Sequence, residues 1–197
     1  MSRAGRFAYD TLPVSRWRNG GGETREIISW PPAEQAAGEF GWRASIATLD
    51  RDGDFSAFPG IDRIITLLEG RGVELHNGRG ATHALVNPGR PYAFAGEDAV
   101  SATLLGGPSR DFNIMTRRGD YLAGMTRIAG EQILPAGNSG VVYVLAGQWL
   151  IDGDAPLEAR QGIWWHDRAR PLRLQPADAR GIALWADIRG PMRAGGA

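Results

Sequence analysis

Residues able to carry chemistry are few in this chain, and those that are missing narrow the choice at once. There are no cysteines, which removes thiolate nucleophiles, thiolate metal sites and disulfides together. The three histidines, His76, His83 and His166, form no His-x-His pair and no His-Glu helix motif. His76 stands beside a hairpin turn, His83 in the strand that follows, and His166 after Trp164-Trp165 at what reads as a wet strand end. No Gly-x-Ser-x-Gly elbow and no Ser-His-Asp arrangement is present. Asp52 and Asp54 fall in a turn, where carboxylates are solvated. What the chain does have is guanidinium: all 22 of its basic residues are Arg. A GC-rich genome accounts for the lack of Lys without any function; either way, an anion bound by this chain is held by planar forks of N–H donors, which suit carboxylates.

Three segments place such groups. Arg43 alternates with Trp42, so one of the pair faces a core and the other the opposite side of a strand. Asn113, Met115 and Arg117 also alternate and share a face if their segment is a strand; Asn113 and Arg117 could then meet the amide or carboxylate ends of a ligand, or simply line a solvated edge. The loop Asn19-Gly20-Gly21-Gly22, flanked by Arg18 and Arg25, could form an anion nest from its amides or mark a close approach of two backbones. A lid over a barrel mouth would satisfy both. It lacks the spacing and the Lys of a P-loop.

The chain that must position these groups has 197 residues, 43% apolar and 22% charged, with no net charge. Its length suits one globular unit or two small fused ones, with enough apolar residues for a core. Without a positive excess, phosphate-driven nucleic-acid binding is excluded as a main role, and no helix-turn-helix pattern is visible. No apolar run approaches the roughly 20 residues of a membrane span. The opening Met1-Ser2-Arg3-Ala4-Gly5-Arg6 lacks the apolar stretch of a signal peptide. The expectation is a soluble, cytoplasmic protein.

Glycine is frequent, 28 residues, about twice the usual share of roughly 7%, and implies many turns. Short apolar runs lie between them. Trp42–Leu49, Ile64–Leu68, Gly72–His76, Val141–Leu145 and Ile182–Trp185 read as strands, and Asn77-Gly78 is a hairpin signal. The only helix the pattern suggests is short, Pro32–Ala37. A weak internal repeat follows. Leu67–Leu75 resembles Val144–Asp152, Pro88–Tyr92 has a counterpart in Arg160–Trp165, and Val100–Leu104 answers Ile182–Trp185. The expected fold is all-β, a barrel or sandwich with very little helix.

Strand, Gly turn, strand, Pro-Gly and a further strand is the pattern of a cupin, and its repetition resembles a bicupin: two fused antiparallel β-barrels packed as one unit. The halves are expected at 1–115 and 116–197. Cupins usually hold a metal through two His one residue apart, a Glu, and a further His. Counting from Gly70 and Gly89, the corresponding positions here are Ser56, Phe58, Arg63 and Tyr92, which make no ordinary site for a divalent cation. No metal or other cofactor is expected.

More specific strings are Trp17-Arg18-Asn19-Gly20-Gly21-Gly22-Glu23-Thr24-Arg25-Glu26-Ile27, Trp42–Ala47, Gly53–Arg63 and Asp111–Arg118. Together they resemble the HutD/Ves family, which is associated with bacterial histidine utilisation and stress response. The resemblance implies a bicupin that binds a small acidic metabolite, with formylglutamate or urocanate the natural candidates, and a regulatory rather than catalytic role. It brings no secure biochemical activity and leaves a homodimer open.

Arg63 is the leading candidate, because a barrel strand should turn it inward, where a guanidinium needs a counter-charge. A ligand carboxylate or a neighbouring acid such as Asp54 or Asp62 would supply it. Ser56, Phe58, Arg43, Tyr92, Asn113 and Arg117 complete the candidate ligand-binding set. Tyr92 could donate its hydroxyl or plug the barrel; Phe55 and Phe58 could be core or the apolar wall of a pocket. Two alternatives stand beside this reading. One is a metal-free isomerase, lyase or hydrolase acting on a small carboxylic acid, with Tyr92 or His166 as acid or base and Arg63 holding the substrate. The other is a protein-interaction scaffold with an unused cavity.

Overall fold

A computed structural model describes residues 3–32 and 39–190. It is built from strands, with one 3-10 turn at Tyr9–Thr11. In chain order the strands are β1 (Arg3–Ala8), β2 (Val14–Arg16), β3 (Gly22–Trp30), β4 (Trp42–Leu49), β5 (Gly53–Asp54), β6 (Ile61–Glu69), β7 (Val73–Asn77), β8 (Thr82–Leu85), β9 (Tyr92–Ala95), β10 (Val100–Leu104) and β11 (Ser109–Arg117). The second series is β12 (Leu122–Ile128), β13 (Gln132–Leu134), β14 (Ser139–Ala146), β15 (Gln148–Ile151), β16 (Leu157–Glu158), β17 (Gln161–His166), β18 (Leu172–Pro176) and β19 (Ile182–Arg189). The short helix expected over Pro32–Ala37 lies, Pro32 apart, outside the described residues.

Four antiparallel sheets result. One six-stranded sheet runs β2-β3-β4-β11-β6-β9 and is closed by a four-stranded sheet β5-β10-β7-β8. A five-stranded sheet β1-β17-β14-β19-β12 is closed by β13-β18-β15-β16. Each pair encloses its own apolar core. The first holds Leu49, Ile65, Leu67, Val73 and Leu75; the second holds Val142, Val144, Trp149, Trp165 and Leu174.

Strand alternation makes the two large sheets two-sided. On β4, Trp42, Ala44 and Ile46 face the other half, together with Phe112 and Ile114 of β11, Val141 and Tyr143 of β14, and Leu184, Ala186 and Ile188 of β19. This third cluster lies between the halves and joins them. Full burial of each large apolar side chain in it contributes roughly 1.5–3 kcal/mol. Because these residues are inner to both sheets, the strands read as long apolar runs, as expected for strands covered on both faces.

The duplication is real in the register. The order β9-β6-β11-β4 in one large sheet matches β17-β14-β19-β12 in the other. One assignment from the sequence needs correction. The counterpart of Ile182–Trp185 in β19 is β11, since both pair with the central strand of their half (β14 and β6), whereas Val100–Leu104 forms β10 and corresponds to β18, the partner of β15 as β10 is of β7. Strand length and apolar content alone cannot separate two neighbouring strands that lie in different sheets. The additions to this common frame differ: β2 and β3 extend the first large sheet beyond β4, and β1 pairs along its whole length with β17 of the second, from Arg3↔His166 to Ala8↔Gln161.

Candidate functional site: an arginine-lined cavity in the first barrel

The face of β4 and β11 opposite the inter-half core looks into the first barrel. Cross-strand pairing sets its side chains in rows. Met115 is paired with both Arg43 and Arg63, and Arg63 in turn with Phe94, so Arg43, Met115, Arg63 and Phe94 cross four strands in one row. Ser45, Asn113, Ile65 and Tyr92 form the next, and Ala47, Asp111 and Leu67 the one below. The alternation expected for Trp42 and Arg43 is therefore observed: Trp42 is fully buried between the halves and Arg43 faces the barrel.

A cavity of about 480 Å³ opens over the upper rows. Five of the seven candidate residues line it: Arg43, Ser56, Phe58, Arg63 and Asn113. Arg63 is only 8% exposed. Its Nη2 donates to Asn113 Oδ1 at 3.3 Å and its Nη1 to the Ser56 carbonyl at 3.4 Å, while its Nε has no hydrogen-bond partner. Three rings surround its guanidinium carbon, with centroids at 4.9 Å (Phe94), 5.2 Å (Phe55) and 5.6 Å (Phe58). Such contacts favour a cation, modestly when exposed and more when desolvated. No carboxylate pairs with Arg63 among the described residues: of the two acids offered as its structural partners, Asp62 pairs with Arg118 at 2.8 Å, and Asp54 lines the same cavity without forming an ion pair with Arg63. Burial first, and then the charge of Arg43, hold its pKa down to about 10. The group is a desolvated cation with an unmet demand for negative charge.

Arg43 is differently placed. Its Nε donates to Glu26 Oε2 at 2.7 Å. The β3–β4 ladder slips between Glu26 and Ile28, and this bulge leaves Ile27 in the inter-half cluster while Glu26 meets Arg43. The loop Phe55–Gly60 that carries Ser56 and Phe58 is held by Phe58 N–H donating to the Gly96 carbonyl at 2.7 Å and by Gly96 N–H donating to the Ile61 carbonyl at 2.6 Å. A side chain at Gly96 would bring its Cβ within 2.5 Å of the Phe58 carbonyl oxygen, so this close approach requires glycine.

Two candidates lie elsewhere. Tyr92 stacks on His83 with centroids 4.0 Å apart and lies 5.9 Å from Phe94; it backs the aromatic group without lining the cavity. Arg117, at the end of β11, pairs with Glu39 at 3.3 Å and donates to the Phe40 carbonyl. His166 is remote as well. It stacks on Trp30 at 3.8 Å and hydrogen-bonds Ser139 Oγ at 2.8 Å, at the junction of the halves. Neither proposed acid–base group therefore meets Arg63 across the cavity. The sequence reading left out Arg16, Trp17, Thr24 and Leu49 as lining residues, and Phe94 as a cover on Arg63. Of these, Leu49 was readable: once Arg43 faces inward, alternation carries Ser45, Ala47 and Leu49 with it.

The Asn19–Gly22 loop resolves in favour of backbone approach. Gly20 N–H donates to the Trp17 carbonyl and Gly21 N–H to Asn19 Oδ1, so these amides serve the turn and no anion nest forms. A Cβ at Gly22 would come within 2.1 Å of the Thr48 carbonyl oxygen. The loop nonetheless reaches the cavity mouth through Arg16, Trp17, Arg18 and Asn19.

The metal that the cupin fold suggests does not suit these residues. A guanidinium cannot ligate a cation, Phe58 has no donor atom, and Tyr92 is stacked elsewhere. Among the described residues no group of three or more His, Asp or Glu converges. The second barrel has its interior filled by Trp149, Trp165, Leu134, Leu172 and Leu174, each 2% exposed or less. Among the described residues, no helix is long and apolar enough to cross a membrane.

Duplicated antiparallel barrels, joined through their large sheets and with one interior open, define a bicupin. The family model described as HutD matches residues 9–184. The curated Protein Ves of Citrobacter koseri is 48% identical over 184 residues, covering 92% of this chain and 92% of that one. The chain belongs to the HutD family. A solved structure of HutD from Pseudomonas fluorescens, described for a formate condition, superposes with a TM-score of 0.82 at 28% identity, covering 95% of this chain and all (100%) of the other. The Escherichia coli pirin solved with nickel(II) shares the fold alone, with a TM-score of 0.66 at 13% identity over 96% of this chain and 100% of that one.

Proposed function

We propose that the first barrel binds a small acidic metabolite, and that through this binding the cytoplasmic protein takes part in regulating histidine utilisation or a stress response. The observation that carries the reading is Arg63: a buried guanidinium with an unpartnered Nε, no carboxylate partner among the described residues, and a cavity in front of it. A ligand carboxylate in the cavity supplies the missing charge. The phenyl rings and Met115 exclude water on the other sides, which strengthens that pair. The family name supports the link to histidine breakdown, and the formate condition of the P. fluorescens structure is consistent with carboxylate recognition. Formylglutamate and urocanate are the ligands to try.

The test is calorimetry of the intact protein with each compound, beside Arg63→Ala. Saturable binding that weakens strongly in the variant supports the reading; equal affinity for both proteins rejects it. The same mixtures followed by proton NMR decide the enzymatic alternative, since a bound ligand recovered unchanged excludes turnover.

A further inference from the structure

Arg63 accounts for one end of the cavity only. The other end is the β2–β3 hairpin, where Arg16 and Arg18 line the mouth and are exposed. Neither guanidinium makes an ion pair or hydrogen bond among the described residues, although Arg16 stands opposite Glu23, which pairs with Arg25, in the β2–β3 ladder. Yet the hairpin bearing them is firmly held. Arg51 Nη2 donates to the Gly20 carbonyl at 2.6 Å, Asp50 N–H to the Gly21 carbonyl at 2.9 Å, and the Trp17 indole to Thr24 Oγ1 at 2.8 Å.

The charges of the cavity do not cancel. Arg16, Arg18, Arg43 and Arg63 line it together with Asp54, and Glu26 neutralises Arg43. Four positive groups face two negative ones, an excess of two. The rest of the lining mixes apolar side chains, Leu49, Phe55, Phe58, Ile65 and Met115, with the neutral polar Thr24, Ser45, Ser56 and Asn113. A volume near 480 Å³ is in the range of sites for whole small metabolites, so a ligand seated on Arg63 extends toward the mouth.

We infer that Arg16 and Arg18 form a second anion subsite, and that the ligand is a small dicarboxylate with its two acidic groups joined by a short apolar chain. This rests on the proposed binding at Arg63. One carboxylate pairs with Arg63 beside Asn113, the chain lies against the phenyl rings, and the second carboxylate meets the Arg16–Arg18 pair. A monocarboxylate satisfies Arg63 and leaves the outer pair to water.

The experiment compares matched acids on the intact protein by calorimetry at low ionic strength: succinate with butyrate, glutarate with valerate, adipate with hexanoate. At the best chain length the dicarboxylate binds about tenfold more tightly than its monocarboxylate partner, because charge-assisted hydrogen bonds are gained at the mouth. In Arg16→Gln/Arg18→Gln that ratio falls to near one, and in Arg180→Gln, which changes an exposed Arg away from the cavity, it persists. Equal affinity for both acids of every pair overturns the inference while leaving the Arg63 reading intact, as does a preference that survives in the double variant. Failure of every acid to bind overturns the Arg63 reading itself. Circular dichroism of the double variant, whose substitutions are on the surface, establishes that it is folded.

Discussion

Asn113 and Arg63 are fifty residues apart in the chain and meet in the barrel, Asn113 Oδ1 accepting from Arg63 Nη2 at 3.3 Å. The other end of the same amide donates to the Asp111 carbonyl at 3.4 Å, which settles which way the amide points. Asn113 thus orients the guanidinium without neutralising it. A carboxylate at that position would close the ion pair internally and remove the reason for a ligand to bind.

Arg63→Met should separate stability from function. Removing a charge-assisted bidentate contact weakens carboxylate binding roughly tenfold to a hundredfold. Without ligand the same variant should be as stable as the parent or more so, by on the order of 1 kcal/mol, since a buried, uncompensated cation is replaced by an apolar chain of similar length. Urea denaturation with and without ligand reads both; a variant that loses stability without ligand contradicts the assignment of Arg63 as an uncompensated cation.

Asp111 lies at the level of Ala47 and Leu67, fully buried. Ser109 donates to its Oδ1 at 3.1 Å, and Oδ2 has no partner. Burial pushes its pKa from 3.8 up to about 7, with the Ser109 hydrogen bond opposing. The folded state therefore holds a proton that the unfolded chain has released, so stability falls as pH rises from about 4 to about 7 and levels off above. The total fall attributable to this group is a few kcal/mol. Asp111→Asn should flatten that part of the profile and leave the protein more stable than the parent at pH 7.5, measured as urea midpoints across the range.

Gly96→Ala tests how firmly the Phe55–Gly60 loop must be seated. The added Cβ meets the Phe58 and Ile61 carbonyl oxygens at 2.5 and 2.7 Å, so the loop has to move. A loss of about 1–3 kcal/mol follows, the usual size of an overpacking effect. Ligand affinity falls in parallel, because Ser56 and Phe58 move away from Arg63. Retained affinity in a destabilised variant would show that the loop takes no part in the site.

Trp149→Ala tests which barrel carries the site. Trp149 is fully buried in the second barrel, and its truncation should lower stability by about 3–5 kcal/mol. Affinity for the carboxylate, measured well below the melting temperature, should not change. A strong loss of affinity in the folded variant would place the site, or its control, in the second half.

The fold was legible where one strand sufficed to show it. Trp42–Leu49 is β4 with the same bounds, and alternation sets Trp42 and Arg43 on opposite faces without telling which face lines a cavity. The bicupin came from repetition of strand and Gly turn. Two things were not legible. One was which neighbouring strands share a sheet, and this led Val100–Leu104 to be matched with β19. The other was which inward residues reach the same cavity. Tyr92 lies one row from Arg63 and faces the same interior, yet its ring is stacked on His83. Phe94, at the cavity row itself, carried no signal in a segment read for its Pro-Gly turn. Arg117 shares the alternation of Asn113 and Met115 but stands past the barrel, where Glu39 and the Phe40 carbonyl take it. Periodicity reports a face; it does not report how far along that face a pocket extends.

The seating of β1 on β17 has a bearing on how the molecule is made. β1 has no strand to pair with until β17, some 150 residues later in the chain, is in place. The second barrel is thus completed by strands that lie on both sides of the first in the chain. Removing β1 therefore strips an edge strand from the second barrel, although the whole of the first lies between it and that barrel in the chain.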